Sequence, residues 1–519
     1  MIPRIRIRSV IVALLVALLA NAASGGAEAE AVVETDAGAV RGIEEHGTLA
    51  FKGIPYAAPP TGDRRWRPPV APRRWQGVRD ATRFAPDCPG TFPDHARMAE
   101  DCLYLNLWTG GPGKAAKRPV MVWIYGGGFR GGSAAAPEFD GADLARQGVV
   151  LVSFGYRTGP LGFLATPQLS SESPHGVSGN YGLLDAIAVL RWVRSNIAGF
   201  GGDPDNVTLF GQSSGSETIN ILTASPLAKG LFQRAIGESG SSFGVRRAQP
   251  LREAEKAGTA FMRDLGAADL PALRELPVDR LIARDADKFE PNVDGWLLPD
   301  DVYAIYEQGR QNDVPMLIGN TAQEFPRPPE ITREQLAAGL TDDFGPLAGA
   351  IAADLSGDAP TDARWRLTNR EWGDFPAATW SCLQAKTGRA PIYRYLFDYA
   401  PPAPQGEPRI ARHGSELAYV FGTYRNSGNP QMGLVDDRTH ALLSGYWVNF
   451  ARTGNPNGPG LPKWPSVREA PGEYMRFGEA GATLVAVRDA ALVSDLARHY
   501  YPATAGHEMC HASPQRYPR

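Results

Sequence analysis

Charge of one sign is scarce in this sequence: 53 Lys and Arg stand against 56 Asp and Glu, a net charge of −3 over 519 residues. A balance this close carries no electrostatic footprint for nucleic acid or for an anionic membrane, so partners have to be argued from a site. Long apolar runs are missing beyond the N-terminus, where no stretch approaches the roughly 20 residues needed to span a bilayer. No internal repeat recurs, which sets aside repeat architectures. Only eight histidines and four cysteines are available for chemistry. What is present is ample apolar material, 43% of residues, enough for the core of one large α/β domain or of two or three ordinary ones.

At the N-terminus Arg4, Arg6 and Arg8 precede an apolar run from Val10 to Ala20, followed by the small residues of Ala20-Asn21-Ala22. Residues 1–22 read as a cleavable signal peptide rather than an anchor, because the run is too short to cross a membrane. The mature chain is therefore expected to be secreted or periplasmic, with no membrane span. Thiols oxidise in such a compartment, so the even set Cys88, Cys102, Cys382 and Cys510 is expected to pair rather than stay as buried free thiols. Cys88 and Cys102 would close a short loop, and Cys382 with Cys510 follows by elimination.

From Val32 to Trp75 the chain is rich in Gly, Pro and Arg, a linker-like composition, yet Phe51, Ile54, Tyr56, Trp66 and Trp75 call for packing. Leu103, Leu105 and Leu107 alternate as in a strand. Val120 to Ile124 and Val149 to Phe154 are apolar runs that suit strands buried on both faces of a parallel sheet. Leu183, Ile187, Leu190, Val193 and Ile197 fall near helical spacing and predict an amphipathic helix packed on that sheet. Further strands are expected around Val207, from Gln233, from Met316 to Ile318 and from Tyr393 to Phe397. Strands alternating with helices indicate a mainly parallel α/β fold. Residues 326–380 open with prolines, then turn charged and Ala-rich, and read as a helical insertion or cap.

Chemistry concentrates at Gly211-Gln212-Ser213-Ser214-Gly215, where an apolar run meets a turn and then Glu217 to Thr223, which can start a helix. Strand, tight turn and helix in that order fit a nucleophile elbow with Ser213 at its tip, although a bare G-x-S-x-G also makes ordinary turns. A serine needs a base, and His413, in a turn-like segment after the Tyr393 to Phe397 strand, is the candidate beside the alternative of a surface histidine. Gly127 and Gly128 follow a buried strand and could aim N–H groups at an oxyanion together with Ser214, or could form a flexible turn. For the acid, Glu324 leaves the end of the Met316 to Ile318 strand and falls between Ser213 and His413, with Asp313 and Asp294 as rivals. His507-Glu508-Met509-Cys510-His511 formally matches a zinc motif, but no further ligand follows and Pro514 ends any helix, so neither metal nor cofactor is expected.

Together these residues resemble the type-B carboxylesterase/lipase family of the α/β-hydrolase superfamily. The likeness rests on F-G-G-D-P-D-N-V-T-L-F-G-Q-S-S-G ending at Gly215 and on E-D-C-L-Y-L-N at Glu100 to Asn106. Phe51 to Ala57, Trp123 to Phe129, Tyr156 to Leu164 and Trp447 to Pro456 are also similar, and with them the linker reading gives way. The resemblance implies one α/β-hydrolase domain over residues 31–508, a tail at 509–519, and hydrolysis of small-molecule carboxylic esters. It implies Ser213 as nucleophile, His413 in a His-Gly-x-Glu-Leu context, Glu324 as acid, and Gly127, Gly128 and Ser214 at the oxyanion. The loop between Cys88 and Cys102 resembles the family's first disulfide loop. The same fold also hosts catalytically silent binding members, and the same triad could serve an amidase or lactonase. Gln212 stands where many members carry Glu, Ser214 where many carry Ala, and Phe325 where a glycine often follows the acid. Without that carboxylate, and with no Trp between Cys88 and Cys102, the site is expected to favour neutral or anionic esters over choline esters.

Overall fold

The computed structural model describes residues 31–91, 98–283, 288–403 and 408–502. Residues 1–22, expected to be a signal peptide, the His507 to His511 stretch and Cys510 lie outside them. Strands form at Ala31–Thr35 (β1), Gly38–Glu45 (β2), Thr48–Pro55 (β3), Val78–Asp80 (β4), Tyr104–Thr109 (β5), Arg118–Ile124 (β6) and Val150–Phe154 (β7). They continue at Gly202–Gln212 (β8), Arg234–Glu238 (β9), Gln249–Pro250 (β10), Asn292–Val293 (β11), Met316–Thr321 (β12), Ile392–Phe397 (β13), Glu473–Gly478 (β14) and Gly481–Ala486 (β15).

Among the described residues, 13 of these strands make one sheet in the order β1-β2-β3-β5-β7-β6-β8-β9-β12-β13-β14-β15, with β4 beside β2. Its centre, from β7 through β6, β8, β9, β12 and β13 to β14, is parallel. The physical reason is visible in β7, where all five residues of Val-Leu-Val-Ser-Phe are buried, as strands covered on both faces by helices require. The flanks are antiparallel: β1, β2, β3 and β5 on one side and β15 on the other. The Val32 to Trp75 stretch, linker-like in composition, thus supplies a sheet edge.

The helix Tyr181–Asn196 buries Leu183, Ile187, Leu190 and Val193, as its spacing predicts. On the same helix Asp185 takes two hydrogen bonds from the Arg157 guanidinium, at 2.8 and 2.7 Å, with both side chains almost wholly buried. Removing one partner of such a pair strands a charge in a poor dielectric, which generally costs about 3–5 kcal/mol. The pair thereby ties the loop after β7 to the helix, close to the sheet's C-terminal edge. Cys88 and Cys102 form the expected disulfide, with Cα atoms 5.0 Å apart. Cys382 is buried in the helix Phe375–Thr387. No helix among the described residues is long and apolar enough to cross a membrane.

Residues 326–380 are helical as expected, with Arg333–Phe344, Ala348–Asp354 and Pro360–Asn369 leading through a π-helical turn, Arg370–Asp374, into Phe375–Thr387. This insertion packs on the loop that carries Glu324. Asn369 Oδ1 accepts the Phe325 N–H at 3.1 Å, Trp365 Nε1 donates to the Phe325 carbonyl at 2.7 Å, and the Phe325 ring meets Trp372 edge-on. A side chain at Gly373 would press on Glu324 Cγ at 3.0 Å. Phe325, in place of a glycine, is therefore part of the contact between insertion and loop.

Candidate active site

The candidate residues gather at the C-terminal ends of the parallel strands, where open α/β sheets hold their sites. β8 ends at Gln212, and the helix Ser214–Ala224 starts two residues later, so Ser213 alone turns the chain. The helix begins at Ser214 rather than near Glu217, because Glu217 N–H already bonds the Ser213 carbonyl at 2.9 Å. Ser213 sits at φ 58° and ψ −128°, a conformation L-residues adopt rarely and at a cost of about 1–3 kcal/mol. Its N–H donates to the Glu238 carbonyl at 2.8 Å, which pins the turn to the end of β9. On its other side the elbow lies close against β6, which needs a residue without Cβ at Gly215, where a methyl group would collide with the Ile124 carbonyl.

β6 runs into Gly126-Gly127-Gly128-Phe129. Gly127 at φ 123° and Gly128 at φ 62° hold backbone shapes that favour glycine. This loop is fixed by the Arg130 N–H bond to the Gly127 carbonyl at 3.0 Å and by the Gly159 N–H bond to the Phe129 carbonyl at 2.6 Å. At Gly126 the loop packs on the elbow, where a Cβ would lie 2.9 Å from Ser213 Cβ, and the helix that follows the elbow opens with N–H groups that lack intrahelical acceptors and make a positive end.

Glu324 follows β12 and is almost fully buried. Its Oε1 accepts the Thr321 N–H and the Ser239 hydroxyl, each at 2.8 Å, and its Oε2 bonds Nδ1 of His413. The two loops are laced together: Gln323 N–H bonds the Ala411 carbonyl at 3.1 Å, and Ala411 N–H bonds Gln323 Oε1 at 3.2 Å. The rival acids serve elsewhere. Asp294 caps Trp296, Leu298 and Asn180, and Asp313 binds Gln384, Arg389 and Ala390.

The His413 side chain is 38% exposed. Burial pulls its pKa down, but the Glu324 charge and hydrogen bond, with Glu416 adding, pull harder, and the net shift is upward from the ordinary imidazole value. Its Nε2 lies 2.9 Å from Nε2 of Gln212, and among the described residues no hydrogen bond joins the ring to Ser213 Oγ. Behind the site Glu238 and Glu416 are fully buried. Burial pushes Glu238 up to about 8 against a Trp447 Nε1–H bond of 2.7 Å, and burial together with the Glu238 charge raises Glu416 well above the carboxylate range.

Gly126, Gly127, Gln212 and His413 open onto a cavity of about 930 Å³, whose wall also includes Glu138 and Arg412. Sequence reasoning missed Ser239, the hydroxyl on Glu324, and the contact between Gln212 and His413. The signal for Ser239 was its place directly after β9, at the same sheet edge as Ser213.

A sequence profile described as the Carboxylesterase family matches residues 29–338 and 375–491, leaving out most of the helical insertion. The chain is 40% identical over 476 residues to a fumonisin B1 esterase of Sphingopyxis macrogoltabida, covering 86% of each protein. It is 36% identical to the para-nitrobenzyl esterase of Bacillus subtilis, covering 86% of this chain and 94% of that one. A solved structure titled PNB esterase superposes with a TM-score of 0.77 at 34% identity, covering 90% of this chain and 99% of that one.

Proposed function

Because the chain belongs to the carboxylesterase family and is a carboxylic ester hydrolase, we propose that Ser213, His413 and Glu324 carry out the hydrolysis through an acyl-enzyme. The observation that carries this reading is the buried Glu324 carboxylate on Nδ1 of His413, whose Nε2 lies against Gln212, the residue before the strained Ser213. In the first step His413 Nε2 takes the Ser213 proton as Oγ attacks the ester carbonyl. The resulting oxyanion is held by N–H groups of Gly127, Gly128 and Ser214, and Glu324 stabilises the imidazolium. The imidazolium then protonates the departing alcohol, and water, deprotonated by the same nitrogen, releases the acid.

His413, Gln212 and Gly127 line the cavity, and we assign it to the ester substrate. An uncharged Gln212 in its wall, with Glu138 and Arg412 offsetting each other, suits neutral or anionic esters better than cationic ones. Export by the N-terminal segment, a single domain over residues 31–508, and pairing of Cys382 with Cys510 belong to the same proposal.

The pH dependence tests the base. Only neutral imidazole accepts the serine proton, so kcat/KM is expected to rise with pH through a value above the ordinary 6.5, the direction in which Glu324 moves His413. The profile is to be measured on a neutral ester. A flat profile from about pH 5 to 8 would remove His413 from the mechanism.

A further inference from the structure

Gln212 bridges the two loops of the site with its carboxamide. It is buried, 6% exposed, between the two loops of the site. A Cβ at Gly126 would lie 3.0 Å from Gln212 Oε1, and a Cβ at Gly414 would lie 3.6 Å from Gln212 Nε2, so the carboxamide spans from the Gly126 loop to the His413 loop. With Glu324 on Nδ1, the ring carries its proton there, and Nε2 presents a lone pair. The group 2.9 Å from that lone pair is the Gln212 amide nitrogen, a donor. The nitrogen that has to take the serine proton is thus already occupied.

We propose that Gln212 is a positioning residue, whose amide holds His413 with Nε2 unprotonated in the free enzyme and yields that nitrogen to Ser213 when an ester enters the cavity. The proposal rests on His413 being the base. A carboxylate at position 212 has no proton to donate to the lone pair and would instead attract one onto Nε2. Carboxamide and carboxylate therefore favour opposite states of the ring. The other charged groups around the ring are Glu324 from the loop after β12, Glu416 on the ring's own segment, Glu238 at the end of β9, and Glu138 and Arg412 in the cavity wall.

The test is the pH profile of kcat/KM for the wild type, Gln212→Glu and Gln212→Met, with thermal melts as a fold check and organophosphonate labelling of the serine in each. The acid limb is expected to move up by about 1–3 pH units in Gln212→Glu, where an opposite charge stands beside the imidazolium. It is expected to move up by about half a unit to one unit in Gln212→Met, which fills the space but loses the bond to the neutral ring. Wild type that labels at Ser213 and shows the limb, with Gln212→Met leaving the limb in place, overturns the role of Gln212 while the proposed function stands. Wild type without labelling at Ser213, or without the limb, overturns the proposed function and this proposal with it. The pH profile of Gln212→Met is the deciding readout, because a merely structural Gln212 would change melting and rate without moving that limb, whereas the carboxylate of Gln212→Glu moves it by its charge alone.

Discussion

Ser213→Ala is expected to lower kcat by about 10⁶-fold, the scale on which serine hydrolases lose rate when the nucleophile is removed, while KM and the melting temperature stay near those of the wild type. The asymmetry follows from what the side chain does in the free protein. The bonds that hold the elbow are backbone bonds, Ser213 N–H to the Glu238 carbonyl and Glu217 N–H to the Ser213 carbonyl, and an alanine keeps both. Alanine also meets the same positive φ of 58° as serine, so the turn's strain is unchanged. The rate lost is that of the Oγ attack, and what remains is the modest acceleration from oxyanion donors and substrate binding. The measurement is steady-state hydrolysis of an activated ester with and without the variant, corrected for background, beside a thermal melt. Hydrolysis within about tenfold of wild type would mean another nucleophile.

Glu324→Gln is expected to cost about 10⁴-fold in kcat with the fold intact, through the tautomer of His413. Glu324 Oε1 receives two donors, the Thr321 N–H and the Ser239 hydroxyl, both buried. A glutamine has to leave its carbonyl oxygen there, because turning the NH₂ toward the Thr321 N–H would set two donors face to face in a dry site. Its NH₂ then points at His413 Nδ1, which becomes an acceptor, and the ring proton moves to Nε2. A ring protonated at Nε2 cannot take the serine proton. The expected signature is a fall in kcat at neutral pH with little change in KM, and a variant of normal kcat would show that Glu324 does not orient the base.

The parts of the site written in contiguous residues were legible before any fold was known. The elbow needs strand, glycine, serine, glycine and helix within a dozen positions, and the Gly126 loop needs only glycines at the end of an apolar run. The acid was not legible in that way, since Glu324, Asp313 and Asp294 are all loop carboxylates. Contacts from distant elements separate Asp313, which caps the Arg389 turn, from Glu324, which meets His413, while Asp294 caps its own turn at Trp296. The bond between Gln212 and His413 joins residues 201 positions apart. Nothing near either residue encodes it. The helical nature of residues 326–380 could be read from composition, but its packing on Glu324 through Gly373 and Phe325 depends on which loop it lands on. The antiparallel flank built from β1 to β5 was hidden by Gly and Pro, which mark turns as readily in a sheet edge as in a linker.

The central claim, that ester hydrolysis runs through a covalent intermediate on Ser213, is tested most directly by titrating the enzyme with an organophosphonate and locating the adduct by peptide mass spectrometry. One phosphonyl group per chain is expected, on Ser213, with activity lost in proportion to labelling and no labelling of Ser213→Ala. Full inactivation with the adduct on another residue, or undiminished labelling of Ser213→Ala, would contradict it.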